Sequence, residues 1–264
     1  MPFTRADGKR LDRIQLVQRA PGTFQLAEPF SYLEPGRPES ERITIRAHDQ
    51  SRPAKGANAS DLASIPPFLW GLISNHGRHT ASALMHDQLW WECLDPDRSA
   101  WIARRREADR VFRVSLREGN SSAVRTAILW SSVSIERFWG PRRWQAIAMG
   151  VQIVLGVGVI YLGIAALLGW AGLPLAFGLL VLAPAVLALP WRSDAAPIEI
   201  LTHLGIVFLP VAVVAIVGQF ALAGLEVLGW LLGGRSGPAP RRGPVGLTRP
   251  VKVRARNRVR AAGD

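Results

Sequence analysis

Ninety consecutive residues, 145–234, hold only four formal charges: Arg192 against Asp194, Glu199 and Glu226. Soluble surfaces carry roughly 25–35 % charged residues, so this stretch cannot form the outside of an ordinary soluble domain. It divides into three apolar runs, 145–170, 173–191 and 198–232, the second carrying Pro174, Pro184 and Pro190 and the third Pro210. A spanning helix needs about 20 mostly apolar residues. Trp144, Trp170, Trp191 and Trp230 lie near the run ends, where indole rings favour the headgroup zone. The expectation is a multi-pass cell-membrane protein whose lipid partners surround these runs.

The remaining charge is split between the two ends. Residues 1–144 are net +6 and residues 235–264 net +8, within a total of +12 over 264 residues. This predicts a soluble domain over 1–144, transmembrane helices over 145–232 with two to four crossings, and a disordered basic tail over 233–264. The tail suits anionic lipid headgroups; nucleic acid is the competing but less favoured partner, and a solvated topology signal with no partner is the reading favoured over both. Arg137, Arg142 and Arg143 precede the first run and nine basic residues follow the last. The positive-inside rule puts both ends, and hence the amino-terminal domain, in the cytoplasm. An even crossing number satisfies it, through a re-entrant second run or a third run bent back at Pro210. Cys93 is the only cysteine, which excludes an internal disulfide framework and a cysteine-based zinc site.

The amino-terminal domain reads as α+β with a helical core. Alternation predicts strands over 13–18 and 41–48, and the Pro/Gly-rich 21–38 reads as turns between short strands. Helices are expected over 66–74, 79–94, 100–118 and 121–138. His86 shares its helical face with Ala83, Leu89, Trp90 and Cys93, and Asp109 shares its face with Phe112 and Leu116. A carboxylate on an apolar face needs a partner, so the two helices are expected to pack antiparallel with Asp109 against His86. Such a carboxylate fixes the imidazole tautomer and leaves the other ring nitrogen able to take a proton from water. Asp87 points about 100° away round the helix. With Asp61 and carbonyls of the Gly77 loop it would offer an oxygen-rich set suited to Ca²⁺. The alternative is that the pair joins two helices and does no chemistry. His76 and His79 read as exposed loop residues, and Trp90 as packing.

The ordered set Asp-Leu-Ala-Ser-Ile-Pro (61–66), His-Gly (76–77), Ala-Leu-Met-His-Asp (83–87) and Arg-Arg-Glu-Ala-Asp-Arg-Val-Phe (105–112) resembles a bacterial and phage family of domains of unknown function, number 1353. The resemblance covers about residues 50–144 and implies no activity. More distantly, the pattern is similar to the helix pair of the secreted phospholipases A2. That likeness implies His86 as base, Asp109 as its orienting carboxylate, and Asp87 and Asp61 as Ca²⁺ ligands. Two functions follow: a membrane-anchored, metal-assisted phospholipid acyl hydrolase, or a non-enzymatic membrane-associated module whose His/Asp pair is structural.

Overall fold

The computed structural model describes residues 2–20, 22–62, 77–93, 98–138, 143–169 and 172–234. The expected helix over 66–74, His76 and the basic tail lie outside them.

Short strands come first. β1 (Phe3–Arg5), β4 (Phe30–Tyr32) and β5 (Ile43–Ile45) form an antiparallel sheet in the order β1-β4-β5. β2 (Leu16–Ala20) and β3 (Thr23–Leu26) form a separate hairpin. The strand expected over 13–18 thus starts later, and the stretch expected as turns between short strands holds β3 and β4. Pairing across strands, rather than local alternation, stabilises such three- and four-residue segments. Phe30 and Tyr32 point into the core with Ser31 between them on the other side.

The body that follows is helical. α1 (Thr80–Glu92) buries every residue from Thr80 to Asp87, as expected of a helix enclosed on all sides. Its Ala81, Leu84 and Met85 join Phe3, Leu26, Phe30, Tyr32 and Ile45 in one apolar cluster, together with Val111. α2 (Arg98–Glu118) buries Arg105, Ala108, Asp109, Phe112, Ser115 and Leu116, a stripe with the 3–4 spacing of an amphipathic helix. α3 (Ala123–Glu136) opens at Ser122, whose side chain accepts a hydrogen bond from the Arg125 amide.

Then the distribution inverts. α4 (Arg143–Leu168) and the stretch Leu173–Leu232 are each long and apolar enough to cross a membrane. Only 22 % and 6 % of their most apolar windows are buried within this chain. The second is divided. α5 (Leu173–Phe177), a π-helical turn (Gly178–Leu182) and α6 (Ala183–Ala188) lead to a turn at Leu189–Asp194, where Arg192 has non-helical φ 51° and ψ −114°. α7 (Ala195–Leu232) then runs 38 residues as one helix through Pro210; it does not bend back there. At about 1.5 Å per residue it is near 57 Å long.

Specific contacts give the directions. The Gln152 side chain donates to the Leu187 carbonyl, and a Cβ on Gly163 would meet Leu180, so α6 and α5 return antiparallel to α4. A Cβ at Gly156 would lie 2.5 Å from Thr202, and one at Gly205 would lie 2.5 Å from Val157. The Tyr161 hydroxyl donates to the Ile206 carbonyl. α4 and α7 are therefore parallel, and their glycines permit close backbone approach, the usual device between apolar helices. The amino-terminal domain does not hang free of them. Phe112, Leu116, Ile128 and Leu129 form a cluster against Leu204 and Phe208 of α7.

Candidate functional site

His86 and Asp109 meet as their helical faces require. His86 Nε2 and Asp109 Oδ1 are 2.9 Å apart, and the two residues are 2 % and 1 % exposed. The imidazole packs tilted on Phe112, with ring centroids 4.8 Å apart. The second carboxylate oxygen is also engaged: Arg137 Nη1 donates to Asp109 Oδ2 at 2.7 Å. Arg137 is itself 3 % exposed, and its Nη2 donates to Asp194 Oδ1. Asp194 Oδ2 accepts from Arg106 Nη2 at 3.0 Å. A chain of charge thus runs from α1 through α2 and the end of α3 to the turn before α7.

The charges balance. Two carboxylates face two guanidiniums, Arg137 buried and Arg106 at the surface. Burying such groups is tolerable only when each is paired and hydrogen-bonded. The arrangement also limits chemistry. A carboxylate that serves a base stabilises the developing imidazolium; here that negative charge is already shared with a guanidinium.

Asp87 faces elsewhere. Its Oδ2 accepts the Ser60 hydroxyl, whose oxygen in turn accepts the Leu62 amide at 2.9 Å. Ser60 is held there by a two-way backbone bridge with Phe24. Leu62 has φ 60°, a left-handed conformation unusual for a leucine. Asp87 also borders a cavity of about 390 Å³ lined by His48, Ala57, Asn58, Gln88, Trp91 and others. His48 Nδ1 accepts the Leu26 amide at 2.9 Å, which fixes the neutral tautomer with hydrogen on Nε2. Burial pushes this imidazole below its usual range, and the Asp87 charge partly opposes the shift. Asp61 sits beside Ser60, partly exposed. Among the described residues, no group of three or more His, Cys, Asp or Glu could hold a metal ion. Residues 63–76, next to Asp61, lie outside the described set.

Other residues differ from expectation or escaped it. His79 is fully buried immediately before α1, not exposed in a loop. Trp90 is fully buried, as packing requires, and carries the Arg105 guanidinium 4.7 Å from its ring. Burial pushes the Cys93 thiol up, with Arg105 and Arg104 opposing. Arg137 and Asp194 were not anticipated. Asp194 carried a signal, being one of four charges in an apolar half; Arg137 looked like one of several arginines flanking a span.

The architecture defines a class: a small strand region joined to a helical body with two apolar stretches that could span a membrane. Residues 41–133 match a family model described as Protein of unknown function (DUF1353). This bears out the likeness read from residues 61–112. The match contains Ser60, Asp61, His86, Asp87 and Asp109; Arg137 and Asp194 lie beyond it. No curated protein matches the chain, and no solved structure matches it.

Proposed function

We propose that the protein is a membrane-anchored, non-enzymatic module, in which the buried ion chain fastens the DUF1353 segment to its apolar helices. The observation that carries this reading is the double engagement of Asp109 by His86 and Arg137. The link onward to Asp194, in the turn between the apolar helices, supports a fastening role. The outward apolar side chains of α4 and α7 support the anchor, among them Leu155, Leu162, Val217 and Phe220. The test is a double-mutant cycle on Arg137→Met and Asp194→Asn, read by unfolding of the full chain in detergent. Coupling between the two substitutions is expected; strict additivity would sink the fastening role.

The 2.9 Å His86–Asp109 contact also keeps a second reading open: a metal-assisted phospholipid acyl hydrolase with His86 as base. Its proper test is release of fatty acid from phospholipid vesicles with and without Ca²⁺. Calcium-dependent turnover abolished by His86→Gln, with the variant still folded, would establish it and displace the first reading.

A further inference from the structure

The start of α4, where the chain leaves the polar domain, and the turn from α6 into α7 lie at one end. Phe138, Ala146 and Met149, around the start of α4, share a cluster with Ala188 and Ile198, and Trp191 and Ala195 pack against it. Arg143 and Trp144 therefore lie at the same end of the helices as Trp191 and Arg192. Trp144 is 70 % exposed, and the Arg143 guanidinium stands 5.4 Å from its ring. Arg192 is exposed. Among the described residues, no hydrogen bond or ion pair engages either guanidinium. The carboxylate of nearby Asp194 is bonded to Arg137 and Arg106 instead.

Arg192 adds an independent sign. Its φ of 51° and ψ of −114° are unfavourable for any residue with a Cβ. A glycine would fit that backbone more easily, yet the site holds a cation. Two guanidiniums with no counter-charge among the described residues, beside two indoles at the boundary between polar and apolar surface, match a phospholipid headgroup layer. Indoles settle at that depth, and guanidinium binds phosphate oxygens through a planar, two-pronged donor set.

We propose that Arg143 and Arg192, with Trp144 and Trp191, form a collar that binds the phosphate of anionic phospholipids. This rests on the membrane-anchored reading. The collar is separate from the basic tail and holds the turn beside Asp194 at the headgroup layer, so lipid charge acts next to the buried ion chain.

The experiment uses the full chain. Native mass spectrometry in detergent compares binding of phosphatidylglycerol with phosphatidylcholine, and carbonate washing of membranes carrying the same chain tests anchoring. Each arginine is expected to add about a fivefold preference for the anionic lipid, weakening as salt rises. Arg143→Gln with Arg192→Gln should remove that part of the preference. Arg143→Lys with Arg192→Lys, which keeps the charge but not the two-pronged geometry, should retain part of it, between the native chain and the glutamine variant, and guards against misfolding as the cause. An unchanged preference in the glutamine variant would overturn the collar and assign the binding elsewhere, the tail included. Competition by inorganic phosphate at similar concentration would also overturn it, since the site would then read free anion. Release of the chain by carbonate would instead overturn the anchoring reading. Retention in the membrane with no lipid preference would sink the collar alone.

Discussion

The two halves of this molecule solve opposite solvation problems. In the amino-terminal half the apolar residues Phe30, Tyr32, Met85 and Trp90 are inside, while most arginines and glutamates are outside. In α4 and α7 many large apolar residues are outside, Leu162 at 63 % exposure and Leu232 at 79 %, and the few positions inside mix Met149, Val157, Ile160 and Ile198 with the small or polar Gly156, Gly163 and Thr202. The contrast teaches that one hydrophobic effect cannot hold both halves. Where they meet, the join is made differently: an apolar contact of Phe112 and Leu116 with Leu204 and Phe208, and the buried ions Asp109, Arg137 and Asp194 balanced by the surface Arg106.

The comparison is broken most severely at Arg137. Arg137→Met leaves Asp109 and Asp194 short of a counter-charge in a buried site. It should cost about 3–5 kcal/mol, measured by denaturant unfolding in detergent; a loss well under 1 kcal/mol would show that the join does not depend on the ions. Next comes the outward face of α4. An arginine at Leu155 or Leu162 should oppose insertion by about 3 kcal/mol each if that face meets lipid, and should move chain from the membrane to the soluble fraction. Undiminished membrane retention would place that face against protein. His86→Gln is expected to cost less, about 1–3 kcal/mol, because Asp109 keeps Arg137; thermal unfolding of the full chain reads it.

The smallest effect belongs to His48 and sharpens the contrast within the polar half. Its folded-state affinity for protons is lowered by burial, with Asp87 opposing. The unfolded chain therefore binds the proton more readily, and stability falls as pH drops below the unfolded value of about 6.5 and continues to fall until the folded imidazole titrates. Protonation also removes the acceptor for the Leu26 amide. His48→Asn should flatten this part of the curve of melting temperature against pH; an unchanged slope would assign it to other groups.

The chain by itself determined more of this protein than its composition suggests. Charge spacing marked the apolar stretches, because a bilayer tolerates very few ions in a span. Helical periodicity put His86 and Asp109 on apolar faces, and the cost of an unpaired buried carboxylate then required that they meet. Ordered motifs marked the family segment. Tertiary structure alone decided the rest. Nothing local tells Arg137 from Arg142 or Arg143; it is the return of the chain through α5 and α6 that brings Asp194 to its guanidinium, across 57 positions. Nothing local shows that Ser60 reaches Asp87, since a bridge to Phe24 carries it there. β3 and β4 are too short to announce themselves, because their stability lies in cross-strand partners. The dipeptide His86–Asp87 shows the division plainly. Helix geometry sent its two side chains to different faces, and only the fold fixed where they ended: one in an ion chain reaching the apolar helices, the other bonded to a serine beside the sheet.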